Sequence, residues 1–237
     1  MAQPSFIFFD IGLTLLSPRG ASAYQEVLRG LGFQVELEAI ERAFHLEDKR
    51  FMREFPGVFG NPHYSPMPWF LGGVNYRLGV RTDLCAAAAL WRERQRQGGP
   101  YWVPFPEARA VLAELRRRGF GLGVISNWDS GARSLLSGHG LAEFFDPIVI
   151  SSEVGAEKPA PEIFRIALER VGFAGEQCLY VGDNYYDDAL GSRKVGMRSL
   201  IINRFGRLGT EEIQDCQFIS GLSDLLALLD GAPAAGA

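Results

Sequence analysis

The sequence predicts an α/β fold: a doubly wound parallel sheet with an all-helical domain inserted into it. Three observations predict it. From residue 105 onward, short apolar runs alternate with amphipathic stretches of helical period. One further apolar run, FIFF at 6–9, stands alone at the far N-terminus. Between the two, residues 18–104 show helical periodicity and no convincing strand.

Taken in order, FIFF reads as the first strand and ends on Asp10. AYQEVLRGLG, ELEAIERAFHLEDKRFMREF, PMPWFLGGVNYRLGV and DLCAAAALWRERQRQ read as the helices of the insertion, with Pro18 and GGPYWVPFP (98–106) as its hinges. PEARAVLAELRRRG (106–119) is a helix stopped by Gly, and FGLGVIS (120–126) a strand. SGARSLLSGHG is a short helix and DPIVIS (146–151) a strand. PEIFRIALERVG (161–172) has Pro at its start and Gly at its stop, the usual helix asymmetry. QCLYVGD (177–183) is a strand, DDALGSRKVG (187–196) a helix, RSLIIN (198–203) and QFIS (217–220) strands, and LSDLLALLD (222–230) a closing helix. Such alternation implies right-handed βαβ units and strands covered on both faces. The expected domains are a Rossmann-like core of 1–17 and 105–230, a helical domain of 18–104 and a flexible tail of 231–237.

Composition narrows the function classes. With 47% hydrophobic and 22% charged residues the chain can bury a core, and a net charge of −4 offers no surface for nucleic acid or anionic membrane. The arginines of WRERQRQ and RRRGF read as solvated helix faces and ends. Cys85, Cys178 and Cys216 are odd in number and far apart, without metal-binding spacing, and read as reduced thiols. MAQPSFIFFD has no basic n-region, and no window reaches the length of a membrane span, so the expected location is cytoplasmic.

Ligands on open α/β sheets bind beyond the carboxyl ends of the strands, so the residues found there matter most. FIFF ends on Asp10, GVIS on Ser126 followed by Asn127, and LYVG on Asp183. The third strand leads through SSEVGAEKPAPEIF to Lys158, just before a Pro-started helix. Asp187 and Asp188 follow in GDNYYDD. Carboxylates gathered in one place repel and raise one another's pKa, and a hard divalent cation such as Mg²⁺ relieves this. Lys158 and the Ser126 hydroxyl suit phosphate oxygens, and Asp10 suits in-line attack on phosphorus. Asp187 or Asp188 taken singly also reads as a helix N-cap.

The motifs DIGLT (10–14), ISN (125–127), KP (158–159) and VGDNYYDD (181–188), in this order, resemble the four motifs of the haloacid dehalogenase superfamily, in the branch with a helical cap after the first strand. The resemblance covers nearly the whole chain. It implies a Mg²⁺-dependent phosphohydrolase acting on a small phosphorylated metabolite through an aspartyl-phosphate. It assigns Asp10 as nucleophile, and Ser126 and Lys158 as orienters of nucleophile and phosphate. Thr14 and Asn127 join the phosphate-binding set. The metal set is Asp10, the Gly12 carbonyl, Asp183 and Asp188.

One position departs from that pattern. Family phosphatases carry a second Asp two residues after the nucleophile, which protonates the leaving oxygen and then activates water. Gly12 occupies that place. Such proton transfer is typically worth about 10²- to 10⁴-fold. Four readings follow: a leaving group needing little protonation, an acid/base group from the cap (His45, Glu47, Asp48 or His63), a slow or non-hydrolytic phosphate-ligand-binding protein, or carbon-directed chemistry as in 2-haloacid dehalogenases. The intact GDNYYDD argues against the last. Phosphonate cleavage would need a Schiff-base lysine in the cap, and Lys49 there reads as part of a charged helix face. The sequence reads Gly-Leu at 12–13 where the family commonly has Asp-Gly, as though the turn glycine had moved one place. The aromatic residues Phe44, Phe51, Phe55, Phe59, Tyr64, Trp69 and Phe70 read first as a helical core.

Overall fold

The computed structural model describes residues 3–58 and 66–231. His63, Phe59, Tyr64 and the tail from 232 therefore lie outside the described residues. In chain order, β1 (Phe6–Phe9) leads through a tight loop to β2 (Leu16–Pro18). Then come α1 (Gly20–Gly30), α2 (Leu37–Glu54), α3 (Met67–Leu78) and α4 (Leu84–Gln97). β3 (Trp102–Pro104) follows and pairs with β2 in a two-stranded sheet. The rest runs α5 (Ala108–Arg117), β4 (Gly121–Ser126), α6 (Gly131–Gly138), β5 (Ile148–Ile150), α7 (Ser151–Val154) and α8 (Pro161–Val171). It closes with β6 (Cys178–Gly182), α9 (Leu190–Arg193), β7 (Arg198–Ile202), β8 (Gln217–Ile219) and α10 (Leu222–Leu229).

The large sheet has the order β5-β4-β1-β6-β7-β8, and its strand pairs are parallel. β1 lies at its centre, with β4 on one side and β6 on the other, so the strand order reverses beside it. That reversal opens a crevice at the carboxyl end of β1. Register explains why four bulky residues fit there. Phe6 stands opposite Gly121 and Phe8 opposite Gly123. A Cβ at Gly121 would come within 2.2 Å of the Phe6 ring, and one at Gly123 within 2.7 Å of Phe8. The two glycines of GLG thus make room for the two rings. Phe6, Phe8, Ile125, Ile163, Phe164 and Tyr180 share one buried cluster.

The described residues fall into two compact units. One gathers residues of 1–17, 104–207 and 211–237, the other 18–103 and 208–210. The excursion Leu208–Thr210 has no counterpart in the periodicity of the sequence. In the helical unit Tyr24, Ile40, Phe51, Phe70, Val74 and Trp91 build the core. A buried chain of hydrogen bonds fixes their packing: the Tyr24 hydroxyl donates to Asn75 Oδ1 at 2.6 Å, and Asn75 Nδ2 donates to Thr82 Oγ1 at 2.9 Å. Phe44 packs partly against this core, whereas Phe55 and Trp69 are exposed. Lys49, expected on a charged helix face, is buried, with Nζ 3.6 Å from Met52 Sδ. Among the described residues no helix is long and apolar enough to cross a membrane.

Three local expectations are corrected. The segment expected to be purely helical contains β3, because Trp102 and Val103 are β-formers and find β2 as a partner. The strand expected to run to Ser151 stops at Ile150, and Ser151–Val154 turns as a short helix closed by left-handed Gly155. The helix expected at 187–196 begins instead as a π turn, Tyr185–Ala189, and continues as α9.

Candidate active site

β1 delivers Asp10 to the crevice, β6 delivers Asp183, and the π turn carries Asp188 to them. Carboxylate oxygens of Asp10, Asp183 and Asp188 lie within 4.8 Å of one another. Lys158, on the approach to α8, sends its ammonium between two of them. Its Nζ is 2.6 Å from Asp188 Oδ1 and 2.9 Å from Asp10 Oδ1. It also donates to the Tyr180 hydroxyl at 2.9 Å. The Asp188 contact is a directed hydrogen bond. The Asp10 contact is close enough for an ion pair but off the hydrogen-bonding direction, so the buried Asp10 Oδ1 has no hydrogen-bond partner.

Asp188 is completely buried and held at both oxygens, because Oδ2 accepts the Asn184 backbone N–H at 2.9 Å. Gly182 makes this possible: a Cβ there would stand 2.1 Å from Asp188 Oδ2. Asn184 caps the π turn, its Oδ1 accepting the Tyr186 N–H at 3.0 Å. Its Nδ2 donates to Asp187 Oδ2 at 2.8 Å. Of the two adjacent acids, Asp188 therefore joins the carboxylate cluster, and Asp187 is held by Asn184. A π turn fits one residue more per turn than an α turn, which re-aims side chains locally.

The electrostatics follow from burial and crowding. Burial pushes the Asp187 carboxyl up to about 6; the charges of Asp10, Asp183 and Glu157 add to this, and Lys158 opposes it. Asp188 is pushed up for the same first reason, with Asp10 and Asp183 adding to the effect. Burial disfavours the charge on Lys158, yet Asp10 and Asp188 outweigh it and hold its pKa well above the ordinary value. Burial, then the Asp188 charge, raises the Tyr180 phenol, which stays protonated. Three carboxylates against one ammonium leave a formal charge of about −2, which a divalent cation balances. The hydrogen-bond-free Asp10 Oδ1 and the all-oxygen donor set fit Mg²⁺.

The remaining expected residues are placed as follows. Ser126 ends β4 beside β1 and is 1% exposed. Asn127 clamps the backbone of Lys158 from both sides: its Nδ2 donates to Lys158 O at 2.9 Å, and its Oδ1 accepts Lys158 N–H at 2.7 Å. Thr14 is fully buried, and its Oγ1 has no hydrogen-bond partner. Gly12 lies in the loop after β1 and bridges to Leu16. The turn glycine has not simply moved to position 12. Leu13, not Gly12, takes the left-handed conformation, with φ 53°. An L side chain there costs about 1–2 kcal/mol.

Among the described residues, the acid/base candidates His45, Glu47 and Asp48 find other partners. Glu47 is 1% exposed and ion-paired with Arg77 at 2.8 Å and Arg50 at 3.1 Å. Gly73 lets it approach α3, since a Cβ there would stand 2.1 Å from Glu47 Oε2. His45 Nε2 lies 2.9 Å from the Leu208 carbonyl oxygen. Asp48 adds its charge to burial in raising the Tyr101 phenol.

Asn184 stood out in the sequence only as the residue after Asp183, while Tyr180 and Gly182 went unnoticed. Tyr180 carried a usable signal, since a tyrosine inside a fully buried strand needs a partner for its hydroxyl.

A parallel α/β core with carboxylates and a lysine at its carboxyl edge, and a helical unit inserted after the first strand, defines the class. Residues 6–196 match the model of the haloacid dehalogenase-like hydrolases. The chain belongs to that family and is a hydrolase. It is 33% identical over 206 residues to human haloacid dehalogenase-like hydrolase domain-containing protein 3, covering 84% of this chain and 82% of the relative. It is 39% identical over 210 residues to a glyceraldehyde 3-phosphate phosphatase of Methanothermobacter thermautotrophicus, covering 83% and 84%. A solved phosphatase structure from Thermococcus onnurineus superposes with a TM-score of 0.61 at 24% identity, over 96% of this chain and 99% of that one, and bears on the fold alone.

Proposed function

We propose that this chain is a Mg²⁺-dependent phosphohydrolase acting on a small phosphorylated metabolite, with Asp10 as nucleophile. The observation that carries the reading is the meeting of Asp10, Asp183, Asp188 and the Lys158 ammonium at the switch point of the sheet. The archaeal relative named for a small phosphate ester supports the substrate class.

Asp10 keeps 13% side-chain exposure although Oδ1 is sealed, so Oδ2 is the attacking oxygen. Its attack on phosphorus forms an aspartyl-phosphate and expels the alcohol oxygen of the substrate. Water then attacks phosphorus, breaks the P–O bond to Asp10 and releases inorganic phosphate. Lys158 stands 2.9 Å from the nucleophile as a positive charge and would face the incoming phosphoryl group. Asp10, Asp183, Asp188 and the Gly12 carbonyl would hold Mg²⁺, which supplies charge neutralisation at the phosphoryl oxygens. Position 12 has no side chain to protonate the leaving oxygen, so turnover should favour leaving groups of low pKa, such as acyl phosphates. A phosphatase panel with Mg²⁺ tests this. Activity that vanishes in Asp10→Asn and in chelator supports it; equal rates for wild type and Asp10→Asn across the panel overturn it.

Gly12 favours a second reading: a protein that binds a phosphorylated ligand without hydrolysing it. Mg²⁺-dependent binding of such a ligand, with no phosphate released over hours, distinguishes it.

A further inference from the structure

The geometry points to Tyr180 as a positioning residue: its hydroxyl fixes the rotation of the Lys158 ammonium so that it faces Asp10 as a charge and not as a hydrogen-bond donor. The inference rests on the proposed nucleophilic role of Asp10.

Tyr180 is completely buried on β6, edge-on to Phe164 with ring centroids 5.5 Å apart. Its hydroxyl has one proton, and that proton goes to the Ile125 carbonyl oxygen at 2.7 Å. The phenol can therefore face Lys158 only as an acceptor, which is what the ammonium requires, having three donors and no acceptor. The orientation of each partner follows from the other. Ile125 is the residue before Ser126, so one hydroxyl ties together the end of β4, the Lys158 side chain and the strand that delivers Asp183.

The second ammonium proton goes to Asp188. With two protons assigned, rotation about the terminal C–N bond is fixed, and the third N–H has one defined direction. Asp10 Oδ1 stands 2.9 Å from the ammonium, charge-compensated but without a directed hydrogen bond. Removal of the Tyr180 hydroxyl leaves the buried ammonium with Asp188 as its remaining described hydrogen-bond partner. It can then rotate and pair more closely with Asp10, which weakens the nucleophile. The Ile125 carbonyl loses its donor at the same time. A phenylalanine keeps the ring, the packing on Phe164 and the shape of the core, so Tyr180→Phe isolates the hydroxyl.

The test has two readouts. The chain has three lysines, Lys49, Lys158 and Lys194. ¹⁵N-lysine labelling therefore gives a small ammonium spectrum in which Lys158 is assigned with Lys158→Met. In the wild type the Lys158 ammonium should be slow to exchange with water. In Tyr180→Phe its exchange should quicken by about tenfold, with kcat reduced about tenfold and KM within about twofold, as expected for one hydrogen bond. Unchanged Lys158 exchange in folded Tyr180→Phe overturns the inference, as does a kcat that falls only with the folded fraction. If Tyr180→Phe does not fold, 3-fluorotyrosine at position 180 is the second probe. It keeps the hydroxyl and weakens it as an acceptor, and the same quickening is expected. Should wild type and Asp10→Asn turn over alike while the ammonium responds to Tyr180→Phe, the phosphohydrolase reading fails and the Tyr180–Lys158 link stands.

Discussion

Replacing Gly182 with alanine should break the site from its scaffold side. The new Cβ would lie 2.1 Å from Asp188 Oδ2 and 2.5 Å from its Cγ. Gly182 cannot retreat, because β6 is fixed between β1 and β7, with Gly182 opposite Ile201. The carboxylate must move instead, and it is bonded to Lys158 at 2.6 Å and to the Asn184 N–H at 2.9 Å. Overpacking costs about 1–3 kcal/mol. A hydrogen bond to a charged group is worth about 1.5–3 kcal/mol. Losing one such bond on top of the clash gives about 2.5–6 kcal/mol, a large share of the total stability of a typical domain. Equilibrium urea unfolding in chelator measures it. Asp188→Ala removes the atoms that clash, so in that background Gly182→Ala should cost much less, and the double-mutant cycle should show strong coupling. A Gly182→Ala change within about 0.5 kcal/mol of wild type, or an additive cycle, would refute the reasoning.

The other predictions concern protons and backbone. Asp187, raised to about 6, and Asp188, also raised, keep their protons in the folded state to higher pH than in the unfolded chain. The folded state then binds more protons, so metal-free stability should fall as pH rises from about 4 through about 7. Mg²⁺ must displace the Asp188 proton, so its stabilisation of the melting temperature should grow from about pH 5 to about pH 8; thermal melts with and without Mg²⁺ check both trends. The left-handed residue of this loop is Leu13, so Gly12→Asp does not put an L side chain on a positive φ. If proton transfer limits turnover, that change should speed poor leaving groups by about tenfold or more, read by steady-state kinetics on alkyl and aryl esters. Leu13→Gly relieves left-handed strain of about 1–2 kcal/mol but loosens the unfolded chain by about 0.5–1 kcal/mol, so urea unfolding should show a small stabilisation. Asn127→Ala removes both bonds to the Lys158 backbone; kcat should fall by at least about tenfold while circular dichroism stays native.

The helical unit shows how far periodicity reaches. The helices α1 to α4 lie where the apolar spacing puts them, because each needs one buried stripe and the period of that stripe is local. The same local reading missed β3, since three residues carry no period of their own and their partner is far away in sequence. It also read Lys49 as part of a charged helix face and offered Glu47 as an acid/base group. Both are buried, because a helix shows its surroundings only after packing.

By itself, the sequence determined the parallel α/β core, the helical insertion and the polar residues at the strand ends. Strand alternation, helix stops and residue chemistry are properties of neighbours along the chain. Tertiary structure alone decided the rest. It set FIFF against GLG, where register trades ring for hydrogen. It chose Asp188 over Asp187 for the acidic cluster, through a π turn that no local period announces. It gave Lys158 its third partner, Tyr180, from a strand 22 residues away. It also put the left-handed backbone on Leu13 while leaving Gly12 bare beside the nucleophile. Each of these depends on distances between segments remote in sequence, and such distances exist only once the sheet has assembled.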